Sequence, residues 1–125
     1  MAFEENFRPL TEWRKDKHDR TEDAAFAFGY YLIKYCRTRA LEDIPENTPP
    51  ETQAIIEKAI DTALHNSMDL LEGYWKLPVD ENLHAEFALT VNIFDDDNTV
   101  VESHDISPSK LDLPIGYWAW KDGDF

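Results

Sequence analysis

From Thr48 to Gly73 the apolar residues recur at helical spacing between a start signal and a stop signal. Thr48-Pro49-Pro50-Glu51 offers a threonine N-cap, a proline at the first helical position and a glutamate placed to close a capping box. At about 100° per residue, Ile55, Ile56, Ala59, Ile60, Ala63, Leu64, Ser67, Met68, Leu70 and Leu71 share an apolar arc of about 220°, which predicts a helix packed on two sides. Gly73 reads as its C-cap.

A second helix is expected from Thr21, as N-cap, to about Leu41. Glu22 and Asp23 stand in its first turn and Lys34, Arg37 and Arg39 near its end, all complementing the helix dipole. Its core stripe is Ala25, Phe28, Gly29, Leu32, Ile33, Cys36 and Ala40, with Tyr31 and Tyr35 on one flank and Phe26 and Tyr30 on the other. The connector from Glu42 to Pro50 lets the two helices fold back as a hairpin over residues 21–73, with Gly29 and an inert, buried Cys36 on the contact face. Residues 1–20 read as an arm, anchored through Phe3 and Phe7, and a short helical turn from Pro9 and Thr11 carrying Trp13. The basic residues Arg14, Lys15, Lys17, His18 and Arg20 read as a solvated linker or exposed helix face, the alternative being a patch for an acidic ligand.

Beyond Trp75 the period changes from 3.6 to 2. Phe87, Leu89, Val91 and Ile93 alternate with Glu86, Ala88, Thr90 and Asn92, Asp95 to Asn98 makes a polar turn, and Thr99 to Asp105 returns as a second strand. Leu111 to Lys121, with Pro114 and Gly116, reads as an edge strand or a packed extended tail. The expected fold is a single α+β domain over 1–125, with two antiparallel helices on a small antiparallel sheet of two to four strands and a β-rich half over 74–125.

Composition narrows the function. The formal net charge of −14 disfavours binding to nucleic acid or to an anionic membrane and favours a basic protein partner. Cys36 is the only cysteine, so neither an intramolecular disulfide nor a multi-cysteine zinc site is available. MAFEENFRPL has no signal pattern and no run is apolar enough to span a bilayer, which leads to the expectation of a soluble, cytoplasmic protein. No phosphate loop, nucleophile elbow, CxxC or HExxH is present, and no cofactor is expected.

Three constellations could carry chemistry. Asp61, His65, Asp69 and Glu72 cluster within about 80° on the polar side of the long helix, either as a solvated face with intrahelical pairs that also includes Lys58, or as the start of a metal or general-base site using His65 with Asp61 and Asp69. The metal reading requires His84 or His104 to be brought nearby. His84-Ala85-Glu86 has the spacing found in zinc deaminases but lacks their paired cysteines. Asp95, Asp96 and Asp97 with Glu102 lack the glycine and the alternation of a calcium loop and read as a solvated turn.

The aromatic segments Gly73-Tyr74-Trp75-Lys76 and Gly116 to Lys121 either close the core or anchor a partner through Tyr74, Trp75, Tyr117, Trp118 and Trp120, with Asp112, Asp122 and Asp124 as a charged rim. Small, strongly acidic and aromatic-rich, the chain resembles bacterial immunity proteins and other acidic inhibitors of basic toxins. That resemblance covers composition and carries over no residue. It implies a non-enzymatic inhibitor of a basic protein; the alternatives are a small metal-dependent enzyme or hydrolase and a homo-oligomer, a homodimer for instance, assembled through the Tyr31 and Tyr35 flank.

Overall fold

The computed structural model describes residues 12–108 and 112–125; the arm with Phe3 and Phe7, the Pro9–Thr11 turn, and the start of the 111–121 segment lie outside the described residues. Helix α1 (Lys17–Tyr31) runs into a π-helical stretch (Leu32–Arg37) and then α2 (Thr38–Glu42). Helix α3 (Pro50–Leu71) follows, then strands β1 (Leu77–Asp80), β2 (Leu83–Ala85), β3 (Thr90–Phe94) and β4 (Val100–Asp105), and finally α4 (Leu113–Lys121). The fold is α+β. Its strands form two separate antiparallel pairs, β1 with β2 and β3 with β4.

Helix α1 starts one turn before the expected Thr21. Asp16 is the cap, accepting the His18 amide at 2.9 Å, and this leaves Thr21 inside the helix with its hydroxyl free to face another element. In the π-helical stretch, where the Thr38 N–H reaches back to Ile33 O, each residue rotates less than in an α-helix. Arg37 therefore returns to the inward side with Ile33, while Cys36 is exposed and not buried on the contact face.

At the start of α3 the cap position belongs to Pro49 rather than Thr48, with Pro50 first in the helix and no side-chain cap bond. Its end is as the sequence predicts: Gly73 takes φ +78°, the left-handed conformation that lets the chain leave the helix. The long helix is rotated relative to its apolar arc. Met68 is buried, with Leu64 and Leu71 against the core, but Ile55 and Leu70 face out, and Asp61 and Glu72 are buried.

The 113–121 segment is a helix, not an edge strand. Asp112 caps it by accepting the Ile115 amide at 3.2 Å, and Pro114 fits the first turn, where its missing N–H costs nothing. The helical turn puts Leu113, Tyr117 and Trp120 on one face, buried with Leu32, Ile33 and Met68. The ring of Trp120 lies directly on Gly29 of α1, which has no Cβ to hold it away. A smaller cluster, Ala24, Ala25 and Ile106, joins α1 to the β3–β4 hairpin, with Leu89 and Val91 packed against it. That hairpin turns where expected, at Asp95, whose carboxylate accepts the amides of Asp97 and Thr99. Among the described residues no helix is long and apolar enough to cross a membrane.

Candidate binding surface

The aromatic segments separate into core and surface. Tyr117 and Trp120, two of the five expected partner anchors, are buried and cannot contact another molecule. Helical spacing explains the division: α4 turns positions 117 and 120 inward and leaves Trp118 half exposed, stacked on His65 with ring centroids 5.0 Å apart and with Lys121 Nζ 5.3 Å from its ring. Tyr74 and Trp75 directly follow Gly73 and remain in the open.

They lead into the β1–β2 hairpin, an element the sequence reading did not identify. Tyr74 is 57% exposed, Trp75 59%, Val79 65% and Leu83 60%, and Leu77 and Phe87 are also exposed. Every position of β1 is exposed, and in β2 only Ala85 is half-buried, so among the described residues most of this hairpin is uncovered. Its pairing is interrupted between Pro78 and Asp80, where the register shifts, and Pro78 has no N–H to donate. The edge is thus unsuited to adding a further strand, and what it presents is side chains. The sequence signal was only Leu77 and Val79 alternating before the polar Asp80-Glu81-Asn82, two matches to a period of two.

Negative charge surrounds these apolar residues. Between Tyr74 and Phe87, Asp80, Glu81 and Glu86 accompany the single cation Lys76. The Tyr74 hydroxyl is pushed above its ordinary range, first by partial desolvation and then by the carboxylates of Asp112, Glu72 and Asp69. Asp112 thus belongs to the acidic surroundings of Tyr74, while its side chain also caps α4. His84 Nε2 stands 3.5 Å from Glu86 Oε1 in the same hairpin.

The acidic stripe of α3 is neither a solvated face nor an assembled metal or general-base trio. Asp61 accepts from Arg37 Nε at 2.7 Å and from Tyr117 at 2.6 Å, and Lys121 Nζ lies 3.3 Å from its second oxygen. Both carboxylate oxygens are therefore engaged by cations and a hydroxyl from other elements. His65 Nδ1 is 3.9 Å from Asp69 Oδ2, its ring covered by Trp118. Glu72 is buried with one oxygen 3.4 Å from the Leu113 amide. Among the described residues no three His, Cys, Asp or Glu side chains are grouped to hold a metal. The stripe appeared solvated in the sequence because its partners, Arg37 on a π-helical turn and Tyr117 with Lys121 on α4, were assigned to other roles.

In the basic cluster Lys15, Lys17 and His18 are exposed, as a solvated face requires, but Arg14 and Arg20 are engaged. Arg14 pairs with buried Asp23 at 2.8 Å, and Arg20 grips Glu102 with two bonds of 2.7 Å. Glu102 therefore belongs to this ion pair and not to a calcium-like turn. On the other flank, Tyr31 and Tyr35 stack with centroids 5.4 Å apart, with Lys34 and Arg39 over the Tyr35 ring.

No family model, curated protein or solved structure matches this chain, so the reading of its surface rests on the geometry above.

Proposed function

We propose that this chain is a small acidic binding protein that engages a basic protein partner through the β1–β2 hairpin and the Tyr74-Trp75 lead-in, acting in the manner of an immunity-type inhibitor in the cytoplasm. The observation that carries the reading is the exposure of Leu77, Val79 and Leu83 on the β1–β2 hairpin and of Tyr74, Trp75 and Phe87 on either side of it in the chain. A soluble monomer rarely exposes so many large apolar side chains within so short a stretch without a use for them. Aromatic anchors supply affinity once desolvated. The carboxylates around them, within a chain of net charge −14, steer a cationic partner and raise its association rate.

Affinity capture of the tagged protein from its native lysate at low and at high salt, with the retained proteins identified by mass spectrometry, tests this. A stoichiometric basic protein retained at low salt and released at high salt is the expected outcome, with the salt effect lying mainly in association. A retained partner that is acidic or indifferent to salt rejects the charge-steering mechanism. One observation favours a second reading, self-association: the exposed Tyr31–Tyr35 stack on the other flank. Sedimentation of the purified chain distinguishes the two.

A further inference from the structure

A second arrangement shares no residue with the hairpin surface. Thr21, inside α1, places its Oγ1 2.9 Å from Nδ1 of His104 on β4, and Nε2 of the same ring lies 2.8 Å from Glu102 Oε1. Glu102 is fixed in turn by the two bonds from Arg20. An ionised carboxylate can only accept, so in neutral His104 the proton sits on Nε2 and the lone pair of Nδ1 faces the threonine hydroxyl. That hydroxyl is also 3.2 Å from Lys17 O, the usual back-bond of a helical threonine, and the contact to His104 is the shorter. His104 is buried, and beside the pair opens a cavity of about 280 Å³ lined by Lys17, Thr21, Glu22, Ser103 and His104 among others.

We propose that Thr21, His104 and Glu102 act as nucleophile, base and orienting carboxylate in the hydrolysis of a short-chain acyl ester held in this cavity. The distances are those required of a hydroxyl, its base and the group that fixes the base. The volume lies just below the range of about 300–1,000 Å³ typical of small-molecule pockets, which selects a short acyl group. Thr21 Oγ1 attacks the acyl carbonyl carbon while its proton passes to His104 Nδ1. The carbon–oxygen bond to the alcohol breaks, and the departing oxygen takes that proton. Water, giving a proton to His104, then attacks the acyl-threonine; the carboxylic acid leaves and the proton returns to Thr21 Oγ1. Glu102 holds the imidazolium formed in each half, and Lys17 is the lysine that lines the cavity. Glu102 and Arg20 act through His104 and are positioning residues.

The full chain is incubated with p-nitrophenyl acetate, nitrophenolate release is followed, and the acetyl group is located by peptide mapping. The expected result is acetylation of Thr21 and turnover that falls at least about a hundredfold in Thr21→Val but survives in Thr21→Ser. Glu102→Gln offers His104 an amide that can donate as well as accept; kcat should drop about tenfold or more with KM near its wild-type value. Acetyl groups confined to lysines or the N-terminus, or equal turnover in folded Thr21→Val, would overturn the proposal and leave the cluster as a tie between α1 and β4. Mapping on the wild-type chain decides the matter even if a variant fails to fold.

Discussion

Tyr117 donates a 2.6 Å hydrogen bond to Asp61 Oδ1, the oxygen that also receives Arg37 Nε at 2.7 Å. Three elements therefore meet on one buried carboxylate: α3 through Asp61, α4 through Tyr117 and the π-helical stretch through Arg37. Burial alone would raise the pKa of Asp61, but the bonds from Arg37 and Tyr117, with Lys121 nearby, outweigh it and hold the carboxyl below its ordinary range. The Tyr117 hydroxyl moves the other way, raised by burial and then by the hydrogen bond it donates to the negative Asp61 carboxylate. Removing one partner leaves a buried charge uncompensated. Asp61→Ala should thus cost about 3–5 kcal/mol in urea unfolding, whereas an Arg37→Met, Asp61→Leu double variant should recover most of that loss. If Asp61→Ala costs less than about 1 kcal/mol, the network is not holding the helices together.

A glycine inside a helix ordinarily costs about 1 kcal/mol relative to alanine, so Gly29→Ala should stabilise α1 if the site were open. It is not open, because the added Cβ would overlap the Trp120 ring. The expected sign is therefore reversed. Overpacking of this kind costs about 1–3 kcal/mol or more, and a lower thermal midpoint for Gly29→Ala, restored by a smaller residue at 120, would confirm the contact.

Arg20 donates two bonds to Glu102 and His104 a third, lowering the Glu102 pKa to about 2 from the ordinary 4.5. A carboxyl whose folded pKa is depressed contributes stability that is complete above its unfolded pKa and is lost as pH falls through the folded value. The contribution should accordingly be intact at pH 6 and fade between about pH 4.5 and about pH 2. Comparing wild type with Glu102→Gln across that window checks it: the gap in urea midpoint should narrow as the pH drops. A gap independent of pH would show that the ion pair contributes nothing to folding.

The sequence disclosed most of the architecture wherever one element carried its own signal. Gly73 marked the helix end because a left-handed C′ residue is nearly a glycine requirement, and Asp95 to Asn98 marked the β3–β4 turn because an aspartate can bond the following amides itself. What failed depended on a partner. Arg37 and Cys36 exchange places through a π-helical turn, which leaves no periodic trace in the sequence. Pro114 and Gly116 argued against a helix at 113–121, yet Pro114 occupies the first turn and Asp112 supplies the cap. With α4 unseen, Asp61 had no visible reason to be buried. The binding surface divided the same way: Tyr74 and Tyr117 each stand between a glycine and a tryptophan, and only the helical turn around Tyr117 takes it out of water.

The hairpin yields the last prediction. A two-stranded pair standing alone is marginal in water, and among the described residues β1 and β2 have only each other as strand partners. Their amides should exchange with deuterium much faster than those around Met68 in α3, which lies in the core. Because Val79 and Leu83 already face solvent, Val79→Asp and Leu83→Asp should shift stability by only about 0.5 kcal/mol. Both should abolish capture of the basic partner, since they put unpaired charge into the apolar contact. Addition of that partner should slow exchange in β1 and β2 of the wild type while leaving α3 unchanged. Slow exchange in the free protein, or a large loss of stability in either variant, would mean that this face is already covered and would move the interface elsewhere on the molecule.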